Sequence, residues 1–311
     1  MNNIESDKAR DRSRYLFRGI SNWLFILWNI LLYALGMGIA KYLGITLDWR
    51  LSGFGLVWIL CITIGSYYIN RYFLLEKETY TRNSEEQNKN DNQREDIRLP
   101  RQINLWVGGS ILTIAASITV VIMRYIQQDP VVLTLMVLIF LGTFLQNLPP
   151  YRLAYSGYGE LILAIVFSIL IPGISYIFKS GEMHRLVAMS TFPLAFFYLS
   201  MALVNGLEMY SSDLRYSRNS LLIRMGWQKG IVFHNILILC GFLLLGIAAL
   251  FGMPIGIVLP TFLILPLGIY QVRMIIRIGE GVKPNWSILR LNAIAIYGLV
   301  AYLLTYAYWM R

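Results

Sequence analysis

Charged side chains are scarce in this sequence: only 14% of its 311 residues are Asp, Glu, Lys or Arg, whereas 57% are hydrophobic. An average soluble domain carries about 25% charged residues, so an ordinary water-soluble globular domain is excluded. Cysteine and histidine are also rare, with two of each. Cys61 and Cys240 lie within apolar runs and His184 is far from His234. Neither a disulfide framework nor a zinc site is therefore expected.

Long uncharged runs fill most of the chain instead. About 20 apolar residues form a helix that crosses the roughly 30 Å hydrocarbon core of a bilayer. The longest run is too long for one helix and contains Gly252-Met253-Pro254, where a tight turn can join two antiparallel helices. The sequence therefore predicts an all-α, polytopic membrane protein with nine transmembrane helices. The runs cover residues 19–40, 51–70, 102–123, 130–151, 161–178, 186–207, 230–272 and 291–310.

The formal net charge of +10 would suggest nucleic-acid binding in a soluble protein, but here it indicates membrane orientation, and no nucleic-acid partner is expected. In a chain with nine spans, 21 of the 27 Lys and Arg residues fall on the side of the N-terminus. The positive-inside rule then predicts a cell (inner) membrane protein with a cytoplasmic N-terminus and an external C-terminus. Residues 1–18 are expected to form a basic cytoplasmic arm, and the long apolar run that follows it is expected to be retained rather than cleaved.

The longest polar segment, residues 76–101, predicts a mobile polar cytoplasmic loop, because its centre is rich in Asn, Gln, Glu and Arg and nearly free of apolar residues. Such a loop could be a solvated connector or a catalytic lid. No separate soluble domain fits the remaining sequence, so residues 1–311 are expected to form a single transmembrane domain.

Two predicted cytoplasmic span ends share a pattern of an asparagine, an apolar residue and a carboxylate at positions i, i+4 and i+8, which fall on one helical face. The repeat would arise if spans one to four and five to eight were related halves. These groups are either interfacial polar residues or ligands for a substrate. The two sets are Asn70, Leu74 and Glu78, and Asn205, Met209 and Asp213.

Two further polar segments lie near the membrane surface. Glu160 follows the segment 149–159 and is either a first-turn acid that favours helix formation or a partner for Arg152 or a substrate. The segment 213–226 contains several arginines, among them Arg218. Guanidinium groups suit phosphate geometry, although positive-inside charge explains them equally well on composition.

These segments together resemble the UbiA-type intramembrane prenyltransferases, including the 1,4-dihydroxy-2-naphthoate and 4-hydroxybenzoate prenyltransferases of quinone synthesis. Residues 149–153 and 157–160 are similar to the family's P-P-x-R-L and G-x-G-E linker. Residues 205–226 resemble its second Asp-rich motif, N-x-x-x-D-x-x-x-D, and the tail K-x-T-L-x-x-R-L-G. Residues 70–78 occupy the place of the first motif, N-D-x-x-D-x-x-x-D.

The resemblance implies nine helices around a central cavity with a cytoplasmic cap. It also implies Mg²⁺ held by the motif aspartates on the diphosphate of a prenyl donor, and an allylic cation that an aromatic or other lipophilic acceptor attacks. Arg71, Leu74 and Met209 replace three of the five acids, which leaves Glu78 and Asp213 as catalytic residues and as ligands for at most one Mg²⁺. The substrate-binding residues implied are Asn70, Arg71, Arg152, Glu160, Asn205 and Arg218.

Two functions follow from this pattern. The chain is either a divergent prenyltransferase or a catalytically inactive relative that binds an isoprenoid, a quinone or a membrane partner in the inherited cavity. If the chain is an enzyme, Arg71 would repel a metal ion but could bind the diphosphate directly. A transporter, the third class, is disfavoured because the spans contain almost no charged residues that could relay ions.

The predicted topology can be tested with single-cysteine variants at Asn90 and Met310, after replacement of Cys61 and Cys240. We expect a membrane-impermeant thiol reagent to reach the two positions from opposite sides of the membrane, because the basic residues concentrate on one side. Labelling of both positions from the same side would contradict the topology.

Overall fold

The computed structural model describes residues 26–85, 92–126, 129–146, 153, 157–215 and 220–311. Within these ranges the regular structure is entirely helical, which confirms the predicted all-α class. The first half contains four helices, α1 (Ile26–Tyr42), α2 (Trp49–Glu85), α3 (Asn92–Tyr125) and α4 (Pro130–Leu145). Asp129 begins α4 by accepting a hydrogen bond from the backbone amide of Val131, and Pro130 occupies the first helical position, where no amide hydrogen is needed.

The second half contains six helices, two of which are composite. The pieces of α5 are Gly159–Ile165, a π-helical turn at Val166–Leu170, and Ile171–Ser180. The pieces of α9 are Ile255–Val258, a 3₁₀ turn at Leu259–Ile264, and Leu265–Gly279. The others are α6 (Arg185–Arg215), the short α7 (Leu221–Met225), α8 (Trp227–Leu250) and α10 (Trp286–Trp309).

Seven helices in the described ranges are long and apolar enough to cross a membrane, so the chain is a multi-pass membrane protein. Two shorter apolar helices, α1 and α4, accompany them, and each borders residues outside those ranges. The count of nine spans therefore stays a prediction. The predicted break of the longest run is present, because α8 ends at Leu250 and α9 begins at Ile255. Gly252 lies between them with φ +96°, a left-handed conformation that favours glycine.

The prediction of a loop over residues 76–101 was wrong at both of its ends. Helix α2 continues to Glu85 and α3 begins at Asn92, so helical structure covers 76–85 and 92–101. The reason is that Glu, Lys, Arg and Gln favour helices nearly as well as apolar residues do. The end of an uncharged run therefore marks where a helix leaves the apolar environment, not where the helix itself ends. Residues 86–91, at the centre of the predicted loop, lie outside the described residues.

Contacts between helix ends define one face of the bundle. The Lys41 ammonium donates a hydrogen bond of 2.8 Å to the carbonyl oxygen of Trp309, and the rings of Tyr42 and Tyr308 lie 5.6 Å apart. These contacts join the end of α1 to the end of α10. The ring of Trp49, at the start of α2, lies 6.2 Å from that of Trp309. We name this face, which also includes Tyr125 at the end of α3, the C-terminal end of the bundle.

Aromatic side chains fill the interior between α1, α5, α6 and α10. The ring of Tyr297 makes edge contacts with Trp28 at 5.2 Å and with Tyr198 at 5.4 Å, and Tyr198 stacks on Phe167 at 5.9 Å. The Tyr297 hydroxyl is hydrogen bonded to Ser168 at 3.2 Å, so this polar group is satisfied inside the core. Phe167 and Ser168 belong to the π-helical turn of α5, which therefore places two residues in this cluster.

Helix α1 reaches α5 through a glycine. A Cβ atom at Gly36 would overlap the Ser175 hydroxyl and the carbonyl group of Pro172. The absence of a side chain at Gly36 therefore allows close approach of the two backbones, as small residues do at helix interfaces in membranes.

We expect Gly36→Ala to destabilise the protein by about 1–3 kcal/mol, because the added methyl group meets backbone atoms that cannot move aside. The matched control is Gly53→Ala in α2, where no atom lies within 4 Å of the added Cβ. That change should be neutral or stabilising by up to about 1 kcal/mol, since alanine favours helices. Thermal unfolding of the two variants in detergent measures both effects, and equal unfolding temperatures would contradict the close contact.

Candidate functional site

The end of the bundle opposite the C-terminal end brings together the segments that the sequence singled out. It consists of the last turns of α2 and α6 and the first turns of α3, α5, α8 and α10, with α7 between them; we name it the motif end. Glu208 of α6 accepts a hydrogen bond of 3.0 Å from the Arg290 guanidinium of α10. The Arg101 guanidinium of α3 lies 4.4 Å above the Tyr72 ring of α2.

The short helix α7 is anchored by one leucine. Leu222 is only 1% exposed and lies between α6 and α8. A Cβ atom at Gly230 of α8 would overlap the Leu222 side chain, and a Cβ at Gly206 of α6 would lie 3.5 Å from it. The two glycines thus form a slot for Leu222. This slot fixes the position of the tail of the second motif.

Arg224, on the same short helix, contacts the segment that precedes α5. Its guanidinium lies 4.9 Å from the centre of the Tyr158 ring, within the range of a cation–π interaction. Tyr158 stands between Gly157, with φ +80°, and Gly159, the first residue of α5. The contact brings the G-x-G-E linker and the tail of the second motif together, although they are separated by more than 60 residues in the sequence.

Glu160 lies in the first turn of α5, half-buried, with its Oε2 atom shielded from solvent. The carboxylate interacts electrostatically with Tyr198, a member of the interior aromatic cluster. Glu160 is therefore directed toward the bundle interior rather than toward open water. Glu160 thus has both features that the sequence left open: it is an acid in the first turn of a helix, where negative charge is favourable, and it faces inward.

The three positions of the second motif differ in burial. Asn205 and Met209 are exposed, and Met209 has 47% of its surface accessible. Asp213 is only 6% exposed. Asp213 follows Gly206 by seven residues, so it lies on the side of α6 that approaches α7, whereas Met209 and Asn205 are rotated from it by about 40° and 80° around the helix. Asp213 is thus buried, whereas Asn205 and Met209 are accessible to solvent.

The first motif lies about two to four turns before the end of α2 at Glu85. Asn70 is half-buried and Arg71 is exposed. Leu74 and Glu78 lie on the same helix, but their side chains are outside the described part of the structure, as are residues Arg152 and Arg218. The roles expected for Glu78, Arg152 and Arg218 therefore stay predictions.

Sequence reasoning missed the contact partners at this end. Tyr158 stood only at the variable position of the linker, and Arg101 and Arg290 counted only as basic residues that set the orientation. The Arg101 guanidinium also donates a hydrogen bond of 3.1 Å to the Tyr72 hydroxyl. No local signal in the sequence identifies these pairs, because each joins residues on different helices.

The described donors do not complete a metal site. Among the residues with described positions, no group of three His, Cys, Asp or Glu side chains is close enough to hold a metal ion. Glu208, a conceivable substitute for a lost aspartate, is paired with Arg290. Asp213 is the motif carboxylate that the structure describes, and Mg²⁺ commonly uses one or two carboxylates together with substrate phosphates. The motif end thus fits one Mg²⁺ only if Glu78 and the substrate supply further oxygens.

Comparison with known proteins adds one positive result. The model of the UbiA prenyltransferase family matches residues 90–294, which is more than half of the chain. The match includes the linker and the second motif, and it excludes the first motif at 70–78. None of the curated proteins matches the sequence.

The Arg224–Tyr158 contact can be tested by a double-mutant cycle. We expect Tyr158→Leu and Arg224→Gln each to lower the unfolding free energy, and the double variant to lose about 0.5–2 kcal/mol less than the sum, because either single change removes the same cation–π contact. Thermal unfolding in detergent gives the four values. Strict additivity would show that the two residues do not interact.

Proposed function

Because the chain belongs to the UbiA prenyltransferase family, we propose that it binds a prenyl diphosphate at the motif end and transfers the (poly)prenyl group to an aromatic or other lipophilic acceptor, as in quinone biosynthesis. The observation that carries this proposal is the Arg224–Tyr158 contact, which joins the two most specific family segments in one site. The protein acts within a lipid bilayer, and the motif end is proposed to face the cytoplasm of a cell (inner) membrane.

Cationic side chains bind the diphosphate in this proposal. Arg71 is exposed at the motif end and stands in place of the first aspartate, and Arg152 and Arg218 are proposed to join it. A guanidinium offers two parallel donors to phosphate oxygens, and it needs no metal to do so. The exposed amide of Asn205 and the half-buried amide of Asn70 provide further polar contacts.

The reaction requires negative charge to be stabilised on the leaving group. The bond between the allylic carbon and the diphosphate oxygen breaks, the diphosphate leaves with the electron pair, and the acceptor forms a new bond to the allylic carbon and loses a proton. A bound Mg²⁺ would supply charge stabilisation, with Asp213 and Glu78 as its proposed ligands. Arginines near the developing charge supply the same kind of stabilisation without a metal.

One observation favours the alternative, a catalytically inactive relative that binds an isoprenoid, a quinone or a membrane partner. Met209 and Arg71 occupy open positions where the family has metal-binding acids, and Glu208 is neutralised by Arg290. Binding of a ligand in the bundle needs none of these acids, whereas metal-assisted ionisation of a prenyl diphosphate requires them.

The two functions predict opposite responses to restored acids. The full chain in lipid nanodiscs is incubated with Mg²⁺ and a panel of prenyl diphosphates, and diphosphate release is measured with and without a chelator. If the wild-type protein is inactive because the metal ligands are lost, the triple change Arg71→Asp, Leu74→Asp and Met209→Asp should create Mg²⁺-dependent release. If it is active through Arg71, the same change should lower the rate, since three carboxylates repel a diphosphate unless metal fills the gap.

The control is Arg71→Gln, which removes the cation without adding an acid. If Arg71 binds the diphosphate, this change should weaken binding by about 1.5–3 kcal/mol, or more than tenfold. Unchanged affinity would remove Arg71 from the site. Wild-type turnover that resists the chelator, and that is lost in an Asp213→Asn variant with the wild-type unfolding temperature, would contradict both versions, because Asp213 would then be essential without holding Mg²⁺.

A further inference from the structure

A cavity of about 450 Å³ lies at the C-terminal end of the bundle, remote from the motif end. It is formed where α2 begins and α3 ends, and Asp48, Trp49, Arg50 and Tyr125 are among its lining residues. The Asp48 carboxylate accepts hydrogen bonds from the backbone amides of Arg50 and Leu51 and also interacts with the Tyr125 hydroxyl. One carboxylate and one guanidinium are therefore held side by side, between aromatic rings.

An apolar groove of about 260 Å³ runs deeper between α2, α3 and α4. Trp58 and Ile62 from α2, Ala115 and Ala116 from α3, and Phe140 from α4 contribute to its walls. The Trp58 indole donates a hydrogen bond of 2.8 Å to Thr119 of α3, so the polar group nearest the groove is satisfied. The surface that remains for an occupant is mainly hydrocarbon.

The cavity and the groove lie on the same pair of helices at successive depths. Trp58 follows Arg50 by eight residues, or about 12 Å along α2, and Thr119 precedes Tyr125 by six residues, or about 9 Å along α3. The polar cavity is thus at the start of the candidate membrane span Trp49–Phe73, and the groove begins roughly 10 Å farther along it. This is the order in which a phospholipid presents its headgroup and then its chains.

We propose that this surface binds one zwitterionic aminophospholipid, with its phosphate on Arg50, its ammonium group on Asp48 and one acyl chain in the groove. The charge pattern carries the choice of headgroup, because a neighbouring cation and anion complement a neighbouring phosphate and ammonium. An anionic headgroup without an amine would leave Asp48 facing a like charge. Trp49 and Tyr125 flank the headgroup, as aromatic residues do at membrane interfaces.

The charged pair argues for a lipid rather than a helix from a second protein, because one lipid molecule can offer a charged headgroup to the pair and an apolar chain to the groove. An unfilled groove would forfeit the dispersion contacts of its lining. Because lipid chains are as apolar as the groove, the hydrophobic effect does not select this site. Selection comes from the headgroup charges.

Native mass spectrometry of the full-length protein, with equal amounts of phosphatidylethanolamine and phosphatidylglycerol added in detergent, tests the proposal. We expect the wild-type protein to retain phosphatidylethanolamine preferentially. Arg50→Gln should reduce that retention about fivefold, a modest factor because the pair is partly exposed to solvent. Asp48→Asn keeps an N-cap residue and should abolish the preference for the amine. Ala116→Leu should reduce retention of both lipids by filling the groove.

The controls match each change in chemistry and location. Arg124→Gln removes an exposed cation one residue from Tyr125, and Ser117→Leu enlarges an exposed residue of α3 beside the groove; both should retain lipid as the wild type does. Phosphorylethanolamine alone should compete poorly, because it lacks the chain. Lipid retention equal to that of the wild type in both Arg50→Gln and Ala116→Leu would overturn the site. A dimer that Ala116→Leu dissociates without loss of lipid would instead show an interface between copies.

Discussion

The close approach of α6 and α8 is the contact on which the motif end depends. In a bilayer, lipid is as apolar as the helix surfaces, so packing of small residues rather than the hydrophobic effect holds helices together. A Cβ atom at Gly241 of α8 would lie 2.7 Å from the Phe197 ring of α6, and Gly230 and Gly206 leave the slot for Leu222. The position of α7, and through Arg224 that of Tyr158 and the start of α5, follows from this pairing.

Arg71 places a positive charge where the family pattern has its first acid. A diphosphate can be bound through divalent metal held by carboxylates or directly by guanidinium groups. Here the first acid is replaced by Arg71, and Glu208 is neutralised by Arg290. If Arg71 lies in the diphosphate site, as proposed, its charge attracts phosphate and repels Mg²⁺, so it favours direct binding over metal-mediated binding.

The sequence predicted the helical class, most of the spans and the turn at Gly252, because lipid imposes long uncharged helices and glycine permits the positive φ of a tight turn. It did not predict that α2 would continue to Glu85, since water permits a polar helix as readily as a loop. The family motifs identified Asp213 and the linker from local spacing. The Leu222 slot and the Glu208–Arg290 pair depend on how distant helices meet, which no local pattern encodes.

Burial separates the replaced motif positions from the retained one. Arg71 and Met209 are exposed, so a substitution at either position is expected to cost the fold little. Asp213 is nearly buried, where loss of a polar group affects stability as well as binding. Retention of Asp213 is therefore weaker support for catalysis than retention of an exposed acid would be. Loss of activity in Asp213→Asn indicates a catalytic role only when the variant unfolds at the wild-type temperature. Changes at the exposed Arg71 and Met209 need this stability control less.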